Sequence, residues 1–104
     1  MKKLLAGCIL ALSVLAASTA MAQTYPSKPI RWLVPYPAGG GSDFLARTIG
    51  QQLSTQTGQT VIVDNKPGAN TAVAAAETAR APADGYTVLS SDNGTMVFNP
   101  VLYK

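Results

Sequence analysis

The chain has 104 residues, 47% hydrophobic and 12% charged, which fits one small domain or part of a larger one. It contains no histidine, which excludes Ser-His-Asp and Cys-His catalysis and any histidine-ligated metal site. The formal net charge is +3, but Lys2 and Lys3 supply two of these charges and the other basic residues are scattered, so no nucleic-acid-binding stripe is present.

Residues 1–22 have the pattern of a secretory signal peptide. Two lysines precede the apolar stretch "LLAGCILALSVLAA", which is shorter than the roughly 20 residues needed to span a bilayer. The motif "LAGC" resembles a lipoprotein acylation site at Cys8, but the apolar run continues well beyond that cysteine. We therefore predict cleavage after Ala22, a periplasmic location, and a mature segment without cysteine.

Beyond the signal peptide, predicted strands and helices alternate along the chain. The first helix has Leu45, Ile49 and Leu53 at every fourth position, which predicts an apolar face, and Gly50 indicates close packing on a sheet. Crossover helices make neighbouring strands parallel, so the predicted fold class is α/β, a βαβαβ parallel-sheet unit. In chain order the elements are a strand (30–34), a helix (43–58), a strand (60–65), a helix (71–81), a strand (86–91) and a loop that begins another short helix (92–104).

Three polar loops follow the predicted strands. They are "PYPAGGGSD", "NKPGAN" and "SDNGT". In a parallel sheet these loops emerge at the same edge, which is where open α/β folds bind their ligands. The sequence therefore predicts a binding site at this edge.

The first of these loops, residues 35–43, is called the glycine loop below; it has three successive glycines and no basic residue. It is not a phosphate-binding loop because no lysine follows the glycines, and Phe44 stands where a dinucleotide fingerprint or a nucleophile elbow needs glycine. Glycines and free helix N-terminal amides could still hold a carboxylate. Alternatively, the glycines only form a tight turn, with Ser42 or Asp43 capping the helix.

Four segments resemble the Bug family, the extracytoplasmic solute receptors of tripartite tricarboxylate transporters. They are "YPSKPIRWLVPYPAGGGSDFLARTIGQQL", "VIVDNKPGAN", "APADGYTVL" and "NPVLYK". The resemblance implies a non-enzymatic periplasmic binding protein, without cofactor or metal, whose two α/β lobes close on a small carboxylated solute for the transporter's membrane components. Since two lobes need roughly 250 residues, residues 23–104 would be the N-terminal part of lobe 1, in a truncated or partial chain.

The resemblance also implies which residues bind the solute. Half of a carboxylate clamp would consist of Tyr36, Pro37, Ala38, Gly39, Gly40, Gly41, Ser42 and Asp43. The side walls would consist of Ala69, Asn70, Ser91, Asp92, Asn93 and Gly94. Two alternatives stay open at this stage: a free-standing secreted α/β interaction module, and an enzyme that binds an anionic substrate at the glycine loop.

Overall fold

A parallel three-stranded sheet forms the centre of the protein. The computed structural model describes residues 22–103, so the predicted signal peptide lies outside the described residues except for Ala22. The sheet order is β2-β1-β3, and both pairings are parallel. The predicted βαβαβ unit is thereby confirmed. The elements are β1 (Ile30–Val34), α1 (Gly41–Thr57), β2 (Val61–Asn65), α2 (Ala72–Arg80), β3 (Thr87–Leu89), a π-helical turn (Gly94–Phe98) and α3 (Asn99–Leu102).

The helices α1 and α2 cover opposite faces of the sheet. The strands β2 and β3 flank β1 on either side, so right-handed connections must place the two crossover helices on different faces. On one face α1 lies against Val61 of β2. On the other, Glu77 of α2 accepts a hydrogen bond of 2.6 Å from Arg31 of β1. Between these layers Leu33 and Val34 are completely buried.

Small residues of α1 face the sheet. Ala46 and Gly50 are buried, and a Cβ added at Gly50 would lie 3.1 Å from Cγ1 of Val61, so the expected close packing at this glycine is confirmed. The predicted apolar face is wrong in part, because Leu45 and Ile49 are 58% and 46% exposed. The helix approaches the sheet too closely for large side chains to fit between them.

An ion cluster connects α2 to the sheet. The guanidinium of Arg31 donates to Asp64 of β2 as well as to Glu77, and Lys66 lies 3.7 Å from the same glutamate. Hydrogen bonds to these two carboxylates raise the pKa of Arg31 above its ordinary value. Partly exposed ion pairs contribute only about 0–1 kcal/mol each, so the cluster orients α2 more than it stabilises the fold.

The ends of the elements follow local chemistry. The helix α1 ends at Gly58, which adopts the left-handed conformation (φ 72°) and donates its amide to Ser54 O at 3.0 Å. The third strand is shorter than predicted, and the chain bends into the π-helical turn soon after Leu89. Within residues 22–103 no helix combines the length and the apolar character needed to cross a membrane.

Candidate functional site

The glycine loop forms an open cavity of about 470 Å³ at the carboxyl edge of the sheet. The loop begins directly after β1, and its last three residues form the first turn of α1. The cavity lining combines an aromatic ring, small apolar side chains and bare backbone. Its residues are Tyr36, Pro37, Ala38, Gly40, Gly41 and Ser42.

The three glycines differ in conformation. Gly39 has φ +91°, a left-handed conformation that side chains disfavour. Gly40 is extended (φ −81°, ψ 175°) and is the N-cap of α1, without a side-chain cap bond. The expectation that Ser42 or Asp43 caps the helix is therefore wrong. A glycine N-cap leaves the end of the helix open toward the cavity.

The first amides of α1 are free of intrahelical partners. The first hydrogen bond of the helix runs from Phe44 N to Gly40 O, at 3.0 Å. The amides of Gly41 and Ser42 precede this bond and so have no acceptor within the helix. The helix dipole adds about half a positive charge at this end. Both effects favour an anion in the cavity.

The Asp43 carboxylate lies beneath the loop, with only 5% of the residue exposed. It accepts hydrogen bonds of 3.0 Å from Gly39 N, from Nε of Arg47 and from Nδ2 of Asn65. We call Asp43, Arg47 and Asn65 the Asp43 brace. Hydrogen bonding to Arg47, then to Gly39 and Asn65, lowers the pKa of Asp43 from 3.8 to about 2. The carboxylate thus stays charged at any physiological pH and holds the loop.

Asn65 begins the predicted loop "NKPGAN", but the sequence analysis does not name it as a binding residue. It is the last residue of β2, and its Nδ2 donates to Tyr36 O at 3.0 Å as well as to Asp43. Its Oδ1 accepts from Nη2 of Arg47 at 3.2 Å. Its position at the carboxyl end of a predicted parallel strand, the edge at which the glycine loop also begins, is the sequence signal that could have identified it.

Tyr36 connects the glycine loop to the segment after β3. Its hydroxyl donates to the carboxylate of Asp92, which also accepts from Thr95 N at 3.0 Å. This hydrogen bond raises the pKa of Tyr36 and lowers that of Asp92. The predicted convergence of these two loops is confirmed.

The loop after β2 contacts the segment after β3 instead of the cavity. Ala69 and Asn70 adopt positive φ values of 46° and 49°. Asn70 Nδ2 donates to Asn99 Oδ1 at 2.9 Å, and Asn99 Nδ2 donates back to Asn70 O at 2.6 Å. A hydrogen bond of 2.6 Å between the buried hydroxyls of Thr71 and Thr95 continues the connection. These contacts fix the two loops to each other.

The predicted clamp and side-wall residues therefore occupy three kinds of position. Six residues of the glycine loop line the cavity, whereas Gly39 and Asp43 support it from below. Asp92 reaches the loop through Tyr36. The remaining predicted residues lie outside the cavity lining; they are Ala69, Asn70, Ser91, Asn93 and Gly94.

The lowered pKa of Asp43 predicts a specific loss of stability in acid. The stabilisation is complete above about pH 4, the ordinary range of an aspartate, and disappears as the pH falls through the folded value of about 2. Asp43→Asn should be less stable than the parent at neutral pH, and the difference should shrink between pH 4 and pH 2. The urea midpoints of both proteins are measured across this pH range. The other carboxylates titrate in both proteins, so the difference between the midpoints reports Asp43 alone. A difference that does not vary with pH would contradict it.

Comparison with known proteins identifies relatives for almost the whole chain. Residues 45–104 match the model of the tripartite tricarboxylate transporter family receptor. A UPF0065 protein of Bordetella bronchiseptica is 48% identical over 101 residues, which are 97% of this chain and 29% of the relative. The chain thus spans less than a third of the length of that relative.

Two solved structures share the fold. The periplasmic binding protein BugD is 40% identical, with a TM-score of 0.59 over 62% of this chain and 22% of BugD. The structure of R. palustris Rpa4515 with adipate is 38% identical, with a TM-score of 0.64 over 68% of this chain and 24% of that protein. The α/β fold and the resemblance to the Bug family are confirmed. Since the family model covers more than half of the chain, the protein belongs to the family of tripartite tricarboxylate transporter receptors.

Proposed function

We propose that the protein is part of a periplasmic receptor that binds a small carboxylated solute at the glycine loop and delivers it to the membrane components of a tripartite tricarboxylate transporter. The observation that supports this most directly is the pair of amides without an intrahelical acceptor, those of Gly41 and Ser42, at an open cavity. Family membership supports a receptor, and the presence of adipate, a dicarboxylate, with Rpa4515 supports the class of solute.

The proposed contacts divide the solute into two parts. One carboxylate accepts hydrogen bonds from the helix N-terminal amides, each worth about 1.5–3 kcal/mol because one partner is charged. The adjoining carbon chain lies against Pro37 and Ala38. The uncharged part of a longer solute lies along Tyr36 toward the segment after β3, while a second carboxylate stays away from Asp92, which is itself negatively charged. The predicted side wall of Ser91, Asn93 and Gly94 belongs to this part of the proposal.

The location and the partners belong to the proposal as well. BugD is a periplasmic binding protein, and this supports a periplasmic location for the protein described here. Cleavage of the signal peptide after Ala22 stays a prediction, as does the interaction with membrane components.

The test is a calorimetric titration of a complete receptor, made by joining residues 23–104 to the remainder of the Bordetella bronchiseptica relative; we call it the assembled receptor. Acetate, adipate and citrate represent mono-, di- and tricarboxylates. At least one of them should bind. Adipamide has the carbon chain of adipate without its charges, and it should not bind at the same concentrations. Absence of binding by all three carboxylates, or equal binding of adipamide, would contradict the proposal.

A further inference from the structure

We propose that Arg47 is a positioning residue that neutralises Asp43, so that the carboxylate fixing the glycine loop does not repel the carboxylated solute. This inference rests on the proposed function. Arg47 is absent from the cavity lining, and its side chain is 53% exposed. It therefore makes no direct contact with a solute in the cavity.

The need for compensation follows from the charges at the site. The brace requires an ionised Asp43, because its two oxygens accept three hydrogen bonds from the loop, the helix and β2. Its full negative charge exceeds the roughly half positive charge of the helix N-terminus. Without a nearby cation, the net field at the cavity would disfavour a second carboxylate. One positive charge beside Asp43 cancels the charge of that carboxylate and leaves the positive end of α1 to attract an anion at the N-terminal amides.

The geometry assigns this cation to Arg47. One helical turn separates it from Asp43, and its Nε lies 3.0 Å from Oδ2 of Asp43. Asn65 fixes the arrangement, because its amide donates to the carboxylate while its Oδ1 accepts from the guanidinium. Arg47 is thereby held beside the carboxylate and below the loop. The glycine loop itself can then lack basic residues, which leaves its amides open to the solute.

The experiment compares Arg47→Gln with the parent in the assembled receptor. The probe is whichever of acetate, adipate and citrate the parent binds most tightly. At about 0.01 M ionic strength, where the screening length is about 30 Å, we expect the dissociation constant to rise about threefold to tenfold. At about 1 M salt the screening length is about 3 Å, and the difference should largely disappear.

Two further variants separate charge compensation from a purely structural role. Asp43→Asn combined with Arg47→Gln removes both charges, so its affinity should vary less with salt than that of Arg47→Gln alone. Arg47→Lys keeps the charge and should bind nearly as well as the parent. The control is Arg80→Gln, which removes an exposed charge at the end of α2 and should leave affinity unchanged.

The outcomes distinguish this inference from the proposed function. A parent receptor that binds none of the three carboxylates overturns the proposed function, and this inference with it. A parent that binds, together with an Arg47→Gln variant of unchanged affinity, overturns the inference alone. A loss that is independent of salt also overturns it, because such a loss reports damage to the loop.

Discussion

Replacing Gly40 by valine is expected to weaken carboxylate binding by the assembled receptor more than tenfold while the fold is retained. Gly40 is extended, a conformation that β-branched residues adopt readily, and a Cβ added there would meet only Pro37 O, at 3.6 Å. The valine methyl groups would instead obstruct the cavity that Gly40 and Gly41 line. Loss of even one charged hydrogen bond, worth about 1.5–3 kcal/mol, gives at least a tenfold effect.

Calorimetric titration with the carboxylate that the parent binds most tightly measures the effect. Thr48→Val is the matched control, because Thr48 is an exposed residue of the same helix outside the cavity lining. It should bind as the parent does. If Gly40→Val also binds as the parent does, the glycine loop is only a turn between β1 and α1. Gly39 is unsuitable for this test, since its positive φ would make any substitution a test of backbone strain.

Replacing Leu33 by alanine is expected to lower the free energy of unfolding of the assembled receptor by about 2–5 kcal/mol. Leu33 is completely buried in the central strand, where its Cα is paired with Asp64 of β2 and Leu89 of β3. Truncation removes apolar contacts and leaves a cavity between sheet and helix that the neighbouring strands can fill only in part.

Leu45→Ala is the matched control, because it makes the same chemical change on α1 at a side chain that is 58% exposed. It should change the unfolding free energy by no more than about 0.5 kcal/mol. Urea unfolding followed by circular dichroism, at protein concentrations below those that favour association, compares the two variants. Equal losses would mean that Leu45 lies in the core, as the periodicity of α1 alone predicts.

Local sequence was sufficient for the order and type of the elements. The strand β1 was predicted with its observed bounds, because Pro29 and Pro35 flank a β-branched and aromatic run and cannot extend a central strand. The end of α1 follows from Gly58, because glycine readily adopts the left-handed conformation that ends a helix. The close packing on β2 follows from Gly50, because it has no side chain. Alternation of strands and helices then determined the parallel sheet and the edge at which the loops meet.

The sequence by itself thus determined the order and type of the elements, the fold class, the family and the glycine loop as the candidate site. These conclusions need only residue patterns that can be read along the chain. Only the tertiary structure decided which face of α1 is buried and what holds the loop. Asn65 lies 22 residues from Asp43, and Asp92 lies 56 residues from Tyr36, so no local pattern relates either pair. Which face of α1 is buried depends on how closely Ala46 and Gly50 allow the helix to approach β2. The spacing of apolar residues along the sequence carries no information about this distance.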